Sequence, residues 1–439
     1  MKFCWKSKQK DSTESFSYWK TIMQSLEEPA NVYDTLIPVH VLMKSVGLSP
    51  CILVVENGKL RYRSSTLGSI YSVLAILLFV GYYIYAVEER ETNDETNKVV
   101  RSIDMYHLYG SMIVMACCII LNSVHQKTLI EAIDRLNDAD VIMAGYTKKI
   151  DWKTSRNNMT VYLLVIMAML AAGEFMNCTM FLRQVATLNT YCLLMCYIPM
   201  LINGFVEAQF VCHILLLKQR FAVLNSELRR LITKQRPLPS FKIIKVGPPI
   251  VEEEPKTLVP SKLIHNARQL HCQLCEIGVL LNRYYSKQIL LDIGDVFIGF
   301  TTLAYYCFDG CMKLYMKDDE SNLYNTVTTG VWTLVKLSRL LVLTLSCSIV
   351  KNEAKSSGDI IYKIENKYQP ELSPEVYAFG KQIIHWNFKF TAFDFFEVDM
   401  SLFYSAVSSA TTYLMILLQL DIANKQIEKS MENSENHSH

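Results

Sequence analysis

Residues 69–87 read SIYSVLAILLFVGYYIYAV, without a charged side chain and with Tyr82, Tyr83 and Tyr85 gathered towards one end. As a helix this stretch rises about 28 Å, close to the roughly 30 Å hydrocarbon core of a bilayer. It is hard to place in a soluble core, so a membrane span over 68–87 is expected. Working outward, six more stretches have spanning length, near 104–122, 158–180, 188–217, 289–315, 324–350 and 402–420. The reading is therefore an all-α membrane protein with seven transmembrane helices. A length of 439 residues and 51% apolar content suit a large soluble protein equally well, so segment length decides. Several spans hold polar residues, and periodicity alone leaves the soluble reading open.

Lys and Arg set the orientation, because short loops rich in them stay in the cytoplasm. Residues 1–67, the connection between spans two and three, the long segment after span four and the segment before span seven are all rich in Lys and Arg. The connection after span one is acidic at Glu88, Glu89, Glu91, Asp94 and Glu95. These biases predict a cytoplasmic N-terminal region over 1–67 and an extracellular tail over 421–439, the reverse of a G-protein-coupled receptor. The first forty residues lack a continuous apolar core, so no removable signal peptide is expected. A net charge of +2 gives no case for nucleic acid. The thirteen Cys fall mostly in spans or cytoplasmic segments, where reduced packing residues are expected. Cys178, Cys307 and Cys311 lie near outer ends, where one bridge is conceivable.

Half of the chain's prolines fall in 235–260, beside the acidic run Glu252 to Glu254, which reads as a flexible cytoplasmic linker. Its flanks, 215–233 and 261–288, keep apolar residues at helical spacing, so spans four and five should run on as helices into the cytoplasm. Residues 371–390 form a third such region, opened by Ser373-Pro374-Glu375, with Val376, Phe379, Ile383 and Trp386 on one face. These pieces are read as one membrane-proximal bundle. The chain then divides into 1–67, spans one to six over 68–350, an anchor helix with the seventh span over 351–420, and a polar tail expected to lack order.

The last span ends Thr411-Thr412-Tyr413-Leu414-Met415-Ile416-Leu417-Leu418-Gln419-Leu420. A buried amide in hydrocarbon needs partners or water, so Gln419 fits a bundle interior or a pore. Ser405, Ser408, Ser409, Thr412, Ile416 and Gln419 recur three and four apart on one face. Two readings fit that face, a water-filled path and close helix packing through small residues.

Thr412-Tyr413, five apolar residues and Gln419 resemble the Thr-Tyr, five apolar, Gln-Phe signature that closes insect gustatory receptors, with Leu420 in place of Phe. Phe390-Thr391-Ala392-Phe393-Asp394-Phe395-Phe396-Glu397-Val398-Asp399 is similar to the family's preface to that helix. The likeness is specific over roughly the last fifty residues. It implies a ligand-gated, poorly selective cation channel, a homotetramer or a heterotetramer with related receptors, in the plasma membrane of sensory neurons. Partners would be a small-molecule tastant, permeant cations and membrane lipid, with no catalytic step, cofactor or metal. The seventh element would be split, with Asp399 capping its second helix. That helix would line the pore, with Ile416 and Gln419 at the gate, Leu420 beside them, and Thr412 and Ser408 below. Leu414 stands where the sugar-sensing branch often carries an acid. This leans towards a bitter or broadly tuned branch and leaves a fructose type open.

Charges inside spans are costly, which makes Glu174, Glu207, Asp292, Asp295, Lys336 and Arg339 candidates for function. Asp292 with Asp295, and Lys336 with Arg339, share helix faces; ion pairing between spans five and six is preferred to an ion pathway. The outer halves offer a ligand pocket from Tyr106, His107, Glu174, Tyr305, Asp309, Thr328 and Trp332, of which Trp332 is the sharpest candidate. An interfacial aromatic belt explains the same rings. His271-Cys272-Gln273-Leu274-Cys275 has zinc-like spacing without a second pair, and packing thiols are preferred. Asn177 and Asn436 sit in outside acceptor triplets for glycosylation, whereas Asn158 is predicted inside and bare. Rival functions are a metabotropic seven-helix receptor and a transporter using the intramembrane charges.

Overall fold

The computed structural model describes residues 20–56, 58–91, 98–145, 150–184, 190–233, 260–316, 320–367, 373–386 and 388–436. The proline-rich linker, apart from Pro260, lies outside them. Over its described residues, each expected span falls in a helix. In chain order, spans one to six are α2 (Thr66–Glu91), α3 (Lys98–Ala144), α4 (Trp152–Gln184), α5 (Thr190–Thr233), α6 (Pro260–Met316) and α7 (Glu320–Lys367). They follow α1 (Val32–Ser45) and the strands β1 (Ile52–Glu56) and β2 (Lys59–Arg63). The seventh element is split. Helix α8 (Ser373–His385) is followed by two short strands, β3 (Thr391–Ala392) and β4 (Phe396–Glu397), and then by α9 (Met400–Asn436). Among the described residues five helices are long and apolar enough to cross a membrane, within α3, α5, α6, α7 and α9; α2 contributes a shorter apolar stretch, Thr66–Tyr82.

Burial ranks the spans. Helix α5 is the hub, with 83% of its most apolar window buried, against 11% for α9. It packs on α7, α6 and α3, while α6 lies along both α7 and α3. Beyond the predicted spans the helices continue as a bundle. There Arg220 of α5 meets Asp140 of α3 through two parallel bonds of 2.9 Å, and both residues are buried. This fork geometry is the arrangement in which a guanidinium best offsets its lost hydration. Helix α8 joins the bundle against α6 and α7, burying Val376 and Phe379 and half-burying Ile383 and Trp386, the face expected from spacing.

The sequence reading did not resolve α1 or the hairpin after it. Asn31 caps α1, its side chain accepting the Asp34 amide at 3.0 Å, and nine of the fourteen residues are buried. Strands β1 and β2 pair antiparallel from Ile52 with Arg63 to Glu56 with Lys59, and Gly58 turns the chain at φ +73°. Gly68 lets the chain cross closely: a Cβ there would stand 1.8 Å from the Pro50 carbonyl oxygen.

The tail differs from expectation. Helix α9 continues through residues 421–436, which were read as lacking order. No Gly or Pro interrupts 400–436, and Asp421 precedes Lys425 by four, a spacing that supports a helix even where the residues are polar.

Candidate pore helix and its anchorage

Helix α9 begins where Asp399 caps it. Asp399 Oδ1 accepts the Ser401 amide at 2.9 Å and the Ser401 hydroxyl at 2.5 Å, and the Leu402 amide bonds the Asp399 carbonyl at 3.1 Å. The Ser401 hydroxyl, with help from Lys351, holds the Asp399 carboxyl down at about 2. Lys351 of α7 donates to Asp399 Oδ2 at 3.1 Å and also to Glu397 of β4. Ser348 of α7 accepts the Met400 amide at 3.0 Å, which satisfies a donor that a helix start leaves open. The turn joining β3 to β4 puts Phe393 at φ 48° and Asp394 at φ 59°, and Asp394 accepts the Thr391 hydroxyl at 2.9 Å.

Past its first two turns α9 has little cover from its own chain. Ser408, Thr412 and Gln419 are exposed, and Ile416 is 46% exposed. The Thr412 hydroxyl turns back onto the Ser408 carbonyl at 3.2 Å, which satisfies it without a neighbouring helix. The side chain of Leu420 lies outside the described residues. The helix thus presents Ser408, Thr412 and Gln419 on one exposed side, with Tyr404 and Met415 close to the same side and Tyr413 away from it.

The candidate pocket residues come only partly together. Trp332 and Thr328, one turn apart on α7, are both buried. Trp332 packs with Leu170 and Val335, and a Cβ at Gly173 of α4 would lie 3.0 Å from its ring. The Thr328 hydroxyl donates to the Tyr324 carbonyl at 3.0 Å, and Tyr324 donates to the Met176 carbonyl at 3.0 Å, tying α7 to α4. Tyr305 is half-buried against Tyr306, with ring centroids 5.6 Å apart, and Asp309 pairs with Lys313 of its own helix at 2.6 Å. The side chains of Tyr106, His107, Glu174, Asn177 and Asn436 lie outside the described residues.

Below Trp332 lies the charged cluster that the sequence pointed to. Lys336 donates to Asp295 at 2.9 Å, while Arg339 spans Glu207 of α5 at 2.9 Å and Asp292 of α6 at 2.6 Å. Sequence spacing missed two members of it. Ser111 of α3 donates to Asp295 at 2.5 Å, and Asn203 of α5 donates to the Ser111 carbonyl at 3.1 Å. Their signal in the sequence is a small polar residue within a largely apolar span. All seven side chains are buried, as intramembrane charges must be when they pair with one another. Cys307 and Cys311 are free thiols, and Cys178 lies outside the described side chains. Cys275 is buried with its sulfur 3.7 Å from His271, a packed thiol.

A sparsely covered last helix following a broken element in a seven-span bundle matches a known group. The profile of the 7tm chemosensory receptors fits residues 36–424. The chain belongs to the 7tm chemosensory receptor family. It is 24% identical over 229 residues to putative gustatory receptor 28b of Drosophila melanogaster, covering 48% of this chain and 47% of that one. It is 24% identical over 249 residues to putative gustatory receptor 2a of the same fly, covering 52% and 56%. The chain spans about half the length of these curated relatives. The olfactory receptor OR5 from Machilis hrabei, solved in complex with eugenol, has the same seven-span helical fold, with a TM-score of 0.61 at 11% identity over 87% of this chain and 97% of that one.

Proposed function

We propose that this chemosensory receptor is a ligand-gated, poorly selective cation channel, built as a homotetramer or a heterotetramer with related receptors and opened by a small-molecule tastant. The observation that carries the reading is α9, whose apolar window is 11% buried although it is long enough to span a membrane. A helix that leaves hydroxyls, Gln419 and large apolar side chains uncovered in one subunit needs neighbours for the apolar part and water for the polar part. A ring of four such helices supplies both. Ile416 and Gln419, with Leu420 beside them, would form the constriction, and Thr412 and Ser408 the hydroxyl lining below it.

In this reading the ligand binds in the outer half around Trp332 and Thr328, with Tyr305, Asp309, Glu174, Tyr106 and His107 at its margin. Binding favours whichever arrangement of α7 leaves α9 open. The protein sits in the plasma membrane of sensory neurons with its N-terminus inside, and Asn177 and Asn436 are outside glycosylation acceptors. Currents recorded from cells expressing this chain alone, against sugars and bitter alkaloids, test the function. Ile416→Ala and Gln419→Ala should change conductance or block; a ligand response without any current of its own would indicate the metabotropic alternative.

A further inference from the structure

Helix α9 packs on both α6 and α7, but its polar ties to its own subunit gather at one end. Between Met400 and Gln419 a single residue, Ala410, is fully buried among the described positions. The polar ties sit at the first turn: Ser348 to the Met400 amide, the Thr344 hydroxyl 3.8 Å from Met400 sulfur, and Lys351 to both Glu397 and Asp399. Leu402, Phe403 and Ala406 add half-buried packing within two turns of that point. Further along, the contact that stands out is the ring of Tyr413 edge-on to Phe297 of α6 at 6.2 Å, and Tyr413 itself is exposed. Thr344, Ser348 and Lys351 lie four and three apart, so one face of α7 makes all of the ties.

We propose that α9 is a rod hinged at Met400 and that the Lys351 clamp on Glu397 and Asp399 sets how readily its far end swings open. This rests on the channel reading above and deepens it. Ile416 lies sixteen residues beyond Met400, about 24 Å along the helix, so a tilt of about 5° at the hinge moves it about 2 Å. That is enough to wet a constriction closed by apolar side chains. The same α7 carries Trp332 and Thr328 upstream, nineteen and twenty-three residues from Lys351. A shift of α7 on ligand binding therefore reaches the hinge through one unbroken helix. The Lys351 side chain is 18% exposed, so its pairs are partly screened and can be remade as the hinge turns. Lys351 is a positioning residue, touching neither the ligand region nor the constriction.

The test labels Ile416→Cys in the full chain on intact cells with an impermeant maleimide, corrected for label taken up by the parent chain, and records conductance after labelling. Lys351→Met should speed labelling by roughly fivefold, the scale of one lost ion-pair network, and Lys351→Arg should restore the parent rate. Asp399→Asn keeps a capping oxygen but gives up the charge, and Glu397→Gln gives up the other charge; each should speed labelling less than Lys351→Met. Unchanged rates in Lys351→Met, or in both of the milder variants should Lys351→Met not reach the surface, overturn the hinge. Labelling of Ile416→Cys that leaves conductance untouched overturns the channel reading instead.

Discussion

Arg339 of α7 donates from Nε to Glu207 of α5 across 2.9 Å, and the same guanidinium reaches Asp292 of α6 with Nη2 at 2.6 Å. One side chain thereby ties three spans together. Lys336, one turn earlier, is bound to Asp295 rather than to a solvent path. Buried charges of this kind are costly singly and tolerable only together, so each acts as a register mark for the helix that carries it.

The pairing makes a prediction about partners. Asp295→Asn or Lys336→Met should each cost on the order of 3–5 kcal/mol, read as lost surface expression and a lower unfolding midpoint in detergent. Exchanging the two, Asp295→Lys with Lys336→Asp, should recover part of that loss. Exchanging Asp295 with Arg339 should not, because Arg339 is committed to Glu207 and Asp292. Equal rescue by both exchanges would contradict the observed pairing.

Packing around Trp332 predicts a steric effect on ligand response. At Gly173 an added methyl would meet the Trp332 ring at 3.0 to 3.3 Å, which forces the indole to give way by a few tenths of an ångström. Gly173→Ala should leave expression near the parent level, since overpacking costs about 1–3 kcal/mol, and should shift the half-maximal concentration of an activating compound. Trp332→Ala should do more harm, by about 3–5 kcal/mol through the cavity it leaves. A dose–response curve for Gly173→Ala that superimposes on the parent would remove Trp332 from the ligand region.

The seven spans were legible because unbroken apolar length is a strong signal, whereas the capped start of α9 came only from the likeness of 390–399 to the gustatory-receptor preface. Charge partners were less legible. Asp292 and Asp295 share a face, as do Lys336 and Arg339, so spacing brings the helices together without saying which acid takes which base. The structure assigns Asp295 to Lys336 and adds Glu207 from a third helix. Helix α1 escaped notice because Pro38 lies inside it and polar Asp34, Thr35 and His40 are among its buried residues, which blurs any apolar stripe. The helical tail escaped because polar composition reads as disorder unless the absence of Gly and Pro is weighed.

Acid should loosen α1. His40 is buried with its ring bonded to Ser49 at 3.0 Å, and burial, with Lys44 nearby, pushes its pKa down to about 3. The unfolded chain takes up that proton near the ordinary histidine value of about 6.5 while the folded one does not, so stability falls as pH drops from there towards 3. At pH 5 the loss is on the order of 2 kcal/mol relative to neutral pH. Asp399 behaves oppositely in range: its carboxyl is held at about 2, so its contribution stays intact at pH 5 and disappears only between the ordinary carboxylate range and about 2. The unfolding midpoint measured at pH 7 and pH 5 should drop less in His40→Gln than in the parent; identical drops would contradict the assignment.

The buried fork in the bundle gives a further check. Arg220→Lys cannot make both 2.9 Å bonds to Asp140 and should cost about 1–3 kcal/mol, whereas Arg220→Met strands the Asp140 carboxylate and should cost about 3–5. Unfolding midpoints in detergent should rank parent, lysine, methionine. A methionine variant as stable as the lysine variant would contradict the pairing.

The central claim is that Gln419 faces the ion path. The most direct measurement is the reversal potential under sodium and calcium gradients in cells expressing the chain alone, comparing the parent with Gln419→Glu and Gln419→Lys. In the proposed tetramer, four carboxylates or four ammonium groups would stand at the constriction and act on every passing ion. The account predicts that Gln419→Glu raises calcium permeability relative to sodium and that Gln419→Lys depresses cation current. Reversal potentials and conductances unchanged in both variants would contradict it.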